Sequence, residues 1–180
     1  MKKSLILKLA LILTLTLAIC GAPAQQSSAA DGDLAVYQSV FDDLKNQIAT
    51  EDYKWNGVQE SSGLGGCALS DYRYLLRDMD SDGVDELFLF ADDSGDGEEP
   101  LYSLIAVFTI TNGEAKLLEE FWSRNRGYLT VGSYIMNEWS NGADDSGDTF
   151  YALSEGRLVA VDGDYKVDES IQPLSIPDTN

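Results

Sequence analysis

The spacing of apolar positions changes several times along this chain, and each change marks an element. Leu34, Tyr37, Val40, Phe41, Leu44 and Ile48 recur three and four residues apart. That spacing predicts an amphipathic helix with one core-facing stripe, Asp33 as its N-cap, and Asp42 and Asp43 largely off the stripe. From Asn56 to Ser70 the periodicity stops, and four glycines and three serines make an irregular connection. No Gly-Lys-Ser/Thr follows them and no helix pattern opens there, so the stretch is not a phosphate cradle. Beyond it the apolar residues gather in short runs rich in aromatic and β-branched types, the signature of strands. Tyr72–Arg77 and Leu87–Phe90 are such runs, and Leu101–Thr111 is a longer one. Asn112-Gly113 is a two-residue hairpin signal, with Ala115–Trp122 returning as the partner strand. Tyr128–Met136, Phe150–Leu153 and Arg157–Val161 are read as further strands, with Asn137–Asp148 as a polar loop and Glu155-Gly156 as a tight turn. The pattern predicts an α+β fold, with the N-terminal helix packed on an antiparallel β meander of roughly six to eight strands.

One loop carries chemistry. Between the runs at Tyr72–Arg77 and Leu87–Phe90, Asp78, Asp80 and Asp82 alternate, Gly83 follows, and Glu86 ends the loop. Oxygen ligands at every second residue, with a turn-forming glycine at the sixth position, suit a hard cation that takes six to eight oxygens at about 2.3–2.6 Å. Without a cation, two carboxylates about 4 Å apart repel by roughly 4 kcal/mol at an effective dielectric near 20. The predicted ligands are Asp78, Asp80, Asp82, the Val84 carbonyl and Glu86, with Ca2+ as the ion. Asp85 is placed outside the ligand set, in solvent or in support of the ligands. The first half of the loop matches an EF-hand. The second half does not, because the twelfth position, where an EF-hand has a bidentate Glu, is Leu89. The flanks are also strand-like rather than helical.

The pattern D-x-D-x-D-G-x-x-E between strands resembles the calcium loops of FG-GAP and integrin-type propeller repeats. It is still more similar to a group of poorly characterised secreted proteins and lipoproteins of Gram-positive bacteria. These carry one such unit followed by strands and a late glycine-rich hairpin, whose counterpart here is R-N-R-G-Y-L-T-V-G-S and then F-Y-A-L-S-E-G-R-L-V. The resemblance covers most of the chain after Tyr53 and implies no established activity. A full propeller needs about four blades of four strands, for which the chain is too short. The fold expected is therefore a single α+β domain over residues 33–172 with one calcium loop between strands. A second acidic stretch, Asp92, Ser94, Asp96 and Gly97, repeats the spacing but has Pro100 at the ninth position. It is read as a solvated hairpin loop, with a second ion as the alternative.

The ends of the chain point to an address. Lys2, Lys3 and Lys8 precede an apolar run at Leu9–Ile19, and Ala22-Pro23-Ala24 offers a small-x-small cleavage site. Residues 1–24 are expected to be a secretory signal peptide, too short in its apolar core to span a membrane. Leu17-Ala18-Ile19-Cys20 resembles a lipobox, in which case residues 1–19 are a lipoprotein signal and Cys20 carries lipid. Residues 25–32 are expected to be a linker. Residues 173–180, with two prolines and little to pack, are expected to be a disordered tail.

Charge narrows the partners. The chain has 12 basic and 31 acidic residues, net −19; without residues 1–24, which hold three lysines and no acid, 9 stand against 31, net −22. Such a surface argues against nucleic acid and against direct binding to anionic lipid, leaving a lipid anchor at Cys20 as the membrane route. Histidine is absent, which removes Ser-His and Cys-His nucleophile systems and the usual zinc sites. Cys67 has no cation within nine residues before it or five after it to lower its pKa, and is read as a small buried hydrophobe. Arg124 and Arg126 are expected to pair with the acidic loops, or else to grip an anionic ligand. Trp55, Trp122 and Trp139 are read mainly as core, with a sugar-stacking surface as the alternative. The function expected is a secreted or surface-anchored calcium-binding module, non-catalytic, with a glycan or a protein as its ligand. The alternatives are a carboxylate-based glycoside hydrolase, which needs only two acids flanking a sugar, and a purely structural domain.

Overall fold

The computed structural model of the chain describes residues 29–50, 54–55, 58–60, 68–92, 102–121 and 124–177. The expected signal segment with Cys20, Cys67, Trp122 and the Ser94–Pro100 part of the second acidic stretch lie outside them. The described residues form two helices and a mostly antiparallel sheet, an α+β architecture. The helices are α1 (Ala29–Val36) and α2 (Gln38–Thr50), followed by the small strands β1 (Lys54–Trp55) and β2 (Val58–Glu60), which pair only with each other. A 3-10 turn at Leu69–Asp71 leads into β3 (Tyr72–Arg77), β4 (Glu86–Asp92) and β5 (Tyr102–Thr111). Then come β6 (Glu114–Glu120), β7 (Asn125–Leu129), β8 (Ile135–Gly142), β9 (Asp145–Ser154), β10 (Arg157–Val161) and β11 (Leu174–Ser175).

Strand β4, Glu-Leu-Phe-Leu-Phe-Ala-Asp, explains how the core is divided. Leu87, Leu89 and Ala91 alternate with Phe88 and Phe90, and all five are buried. A run apolar at every position, as from Leu87 to Ala91, is covered on both faces. On one face Leu87, Leu89 and Ala91 join Tyr72, Tyr74, Ala106 and Phe108 against Tyr37, Val40, Phe41 and Leu44 of the helical segment. The helical spacing in the sequence is thus the spacing of these contacts. Burying Tyr37, Phe41 and Leu44, all at 0% exposure, stabilises by roughly 1.5–3 kcal/mol each. On the other face Phe88 and Phe90 pack with Leu104, Val107, Phe121, Leu129 and Ile135.

The sheet runs β10-β9-β8-β7-β5-β4-β3-β11, with β6 paired to β5 off this path. It is therefore not a simple meander. One edge of β5 is shared: β6 pairs with Ala106–Thr111, and β7 takes over at Leu104↔Gly127. Gly127 permits the close approach, since a Cβ there would lie 2.7 Å from the Phe121 ring and 2.9 Å from Leu104 Cβ. Leu118 of β6 and Leu158 of β10 pack on the same cluster, and Lys116 Nζ donates to the Gly156 carbonyl at 3.4 Å. The sheet thus bends back round its second core.

Three expectations are corrected. The helix does not begin at Leu34 behind an Asp33 cap: Ala29–Gly32, expected as part of the linker, are already helical, and Asp33 sits within α1. The run Tyr128–Met136 is not one strand, and Asn137–Asp148 is not a loop. A turn at Gly132 (φ 93°) and Ser133 (φ 64°) separates β7 from β8, and the polar stretch continues as the β8–β9 hairpin. Its residues are polar because much of this ribbon is exposed, which removes the apolar alternation by which strands are recognised. The tail is not disordered up to Pro177: Leu174 and Ser175 pair with Tyr74 and Arg73, Ile176 is buried, and Lys45 Nζ donates to the Pro177 carbonyl at 2.7 Å. This segment covers the outer edge of β3, which would otherwise present unpaired backbone groups.

Candidate metal centre

The loop between β3 and β4 is built on its first aspartate. Asp78 Oδ1 accepts from the amides of Ser81 at 2.6 Å and Asp82 at 3.2 Å, and its Oδ2 accepts from Gly83 at 3.0 Å. One carboxylate thereby closes the turn, with Ser81 (φ 64°) and Gly83 (φ 89°) in the left-handed region. Asp82 Oδ1 accepts from the Val84 amide at 2.8 Å.

Glu86 closes the loop from inside. It is the first residue of β4 and is fully buried on the strand face shared with Phe88 and Phe90. Its Oε2 accepts from the Met79 amide and its Oε1 from Thr109 Oγ1, both at 2.9 Å. Burial pushes the Glu86 carboxyl up to about 7; these two hydrogen bonds oppose the rise, and Asp80 and Asp82 add to it. Asp80 is also raised, by burial and then by Asp82 and Asp78, and its Oδ1 is buried without a hydrogen-bond partner.

Carboxylate oxygens of Asp78, Asp80 and Glu86 all lie within 4.8 Å of one another, and this group can hold a metal ion. Two oxygens on opposite sides of an ion at about 2.4 Å are separated by that same distance. The donors fit a hard cation: oxygen alone, three carboxylates, one atom otherwise orphaned. Of the predicted ligands the structure thus gathers Asp78, Asp80 and Glu86. Asp82 lies outside this group, exposed and hydrogen-bonded to the loop's own backbone.

Asp85 has a role that the spacing does not reveal. Its amide donates to Asp33 Oδ2 at 3.0 Å and its carbonyl accepts from the Tyr37 hydroxyl at 2.9 Å, tying the loop to the helical segment. Burial, then the neighbouring Asp33, raises the Asp85 carboxyl. Burial also drives the Tyr37 hydroxyl far up, reinforced by Glu86 and Asp33, so it stays a donor. Tyr37 was legible as a core residue in the helical stripe; Asp33 carried no signal for this contact.

A second acidic pair lies on β6. Burial raises Glu119 and takes Glu120 up to about 7, with Glu119 adding to the latter. Among the described residues the side chains of Arg124 and Arg126 make no ion pair and no hydrogen bond, so the expected pairing with acidic loops is not seen there. No protein-family model matches the chain, and neither does any curated protein or solved structure. Among the described residues no helix is long and apolar enough to cross a membrane.

Proposed function

We propose that the chain is a secreted or surface-anchored calcium-binding domain, a non-catalytic binding module whose fold calcium stabilises, like the Gram-positive secreted proteins its loop resembles. The observation that carries this reading is the convergence of Asp78, Asp80 and Glu86, with a buried, unpartnered oxygen on Asp80 and a fully buried Glu86. A domain that buries carboxylates and leaves one oxygen unsatisfied incurs a cost that a bound cation offsets. Calcium is the ion of choice because the donors are all oxygen and are carried on an irregular turn. Magnesium prefers a rigid octahedron and keeps its water. Asp82 and the Val84 carbonyl complete the ligand set in this reading.

Thermal melting in EDTA, magnesium and calcium tests it. Extracellular calcium modules have dissociation constants of about 10⁻⁴–10⁻³ M. Millimolar calcium then adds on the order of 0.5–1.5 kcal/mol. Asp80→Ala abolishes the response and Asp85→Ala keeps most of it. Equal melting temperatures in all three buffers, or the reverse order of the two variants, overturns the assignment. Export is tested by intact mass: the mature chain is expected to begin at Gln25 or at a lipidated Cys20.

A further inference from the structure

The outer face of strands β7, β8 and β9 carries a shallow cavity of about 480 Å³, lined by Arg124, Arg126, Glu138, Ser140, Ser146 and Asp148 over the backbone at Trp139 and Gly147. The strand register explains the lining. Arg126 stands opposite Glu138, and Glu138 opposite Asp148. One row further out, the Ser140 amide donates to the Arg124 carbonyl at 3.0 Å, and Ser140 stands opposite Ser146. Residues two apart on a strand share a face and lie about 6.6–7 Å apart, so the six side chains form two parallel rows. Both arginines stand at one end, Arg126 on β7 and Arg124 just before its first residue. The acids and hydroxyls stand on the neighbouring strands.

The arginines stand out within the chain. Arg77 pairs with Asp168, Arg157 with Glu155, and Arg73 donates to the Ser70 and Tyr72 carbonyls. Only Arg124 and Arg126, among the described arginines, have no such partner, in a protein of net charge −19. Two free guanidinium forks side by side match a carboxylate, which they hold through parallel charged hydrogen bonds. Glu138 and Asp148 accept from hydroxyl groups, and Ser140 and Ser146 both donate and accept. Long polyanions are disfavoured by the charge of the whole chain, which repels them at a distance.

We infer that this cavity binds a short acidic saccharide, with the uronate carboxylate on Arg124 and Arg126 and the sugar hydroxyls on Glu138, Asp148, Ser140 and Ser146. The inference gives the binding-module reading its ligand class and rests on that part of it, not on the metal.

The test is a titration of calcium-loaded protein with di-galacturonate, followed by NMR of the arginine Nε–H signals. The expected result is saturable shifts at Arg124 and Arg126 with a dissociation constant on the order of 1 mM. Arg124→Gln/Arg126→Gln is expected to weaken binding roughly tenfold or more, and so is methyl esterification of the sugar, since each removes the charge-assisted bonds. Absence of shifts at tens of millimolar ligand, equal binding of the methyl ester, or unchanged affinity in the double variant overturns the inference. Inorganic phosphate competing as well as the uronate also overturns it, by making this a general anion site. Asp80→Ala is expected to keep uronate binding while losing the calcium response, so the two readings fail separately.

Discussion

Replacing Glu86 by Gln isolates the cost of the buried charge. The carboxyl moves from an ordinary 4.5 to about 7 on folding. A group raised in this way binds its proton more tightly in the native state. Stability is then fully present below about 4.5, and it is lost as pH rises through about 7. At about 1.36 kcal/mol per unit, the metal-free native state gives up on the order of 3 kcal/mol by pH 8. Glu86→Gln removes the charge and keeps the geometry: the amide oxygen accepts from the Met79 amide, and the amide nitrogen donates to Thr109 Oγ1, whose hydroxyl turns to accept. In EDTA at pH 8 the variant is therefore expected to melt above the wild type. For a domain of this size, where 1 kcal/mol shifts the midpoint by about 2–4 °C, the gain is roughly 6–12 °C. At pH 4.5 the two should melt together. Calcium should raise the wild type at pH 8 and leave the variant unmoved. Scanning calorimetry of both proteins at pH 4.5 and pH 8, with EDTA and with calcium, decides the matter. A variant no more stable than wild type at pH 8 in EDTA, or a gain of the same size at both pH values, refutes the argument.

Other perturbations follow from the packing. Gly127→Ala places a methyl against the Phe121 ring and Leu104, and should cost about 1–3 kcal/mol in urea unfolding; Gly142→Ala, with open space around it, should stay within about 0.5 kcal/mol. Ile176→Ala should cost about 2–4 kcal/mol, and deletion of residues 173–180 at least as much, because Ile176 is buried and β11 protects the β3 edge; unchanged stability in the deletion would mean the tail does not dock. Tyr37→Phe leaves the Asp85 carbonyl without its donor and should cost about 1–2 kcal/mol while the calcium response survives. Calcium affinity should rise with pH up to about 7 and then level off, since Glu86 must release its proton to bind; proton release measured by calorimetry in two buffers checks this.

The features legible in the sequence are those whose cause is local. Asp78, Asp80 and Glu86 fall within nine consecutive residues, and the Asp78 bonds that close the turn and the bond from the Met79 amide to Glu86 all lie within that span. The helical stripe from Tyr37 to Leu44 and the Asn112-Gly113 and Glu155-Gly156 turns, with positive φ at all four positions, depend likewise on near neighbours. Tertiary structure decided the rest. Glu86 becomes a buried, reluctant acid only because β4 lies central and Thr109 arrives from β5, which no spacing within the loop specifies. Asp33 meets the Asp85 amide across 52 residues, and Ile176 fills the core from a stretch that reads as tail. The β8–β9 ribbon escaped recognition because burial, which imprints the alternating pattern on a strand, is weak there. The two arginines became a feature when strand register set Glu138, Asp148 and the serines beside them. Ligand spacing within a turn is written in the local chain; desolvation and cross-strand neighbours are set by contacts between distant segments, and these fix how strongly an acid holds its proton and what a surface can bind.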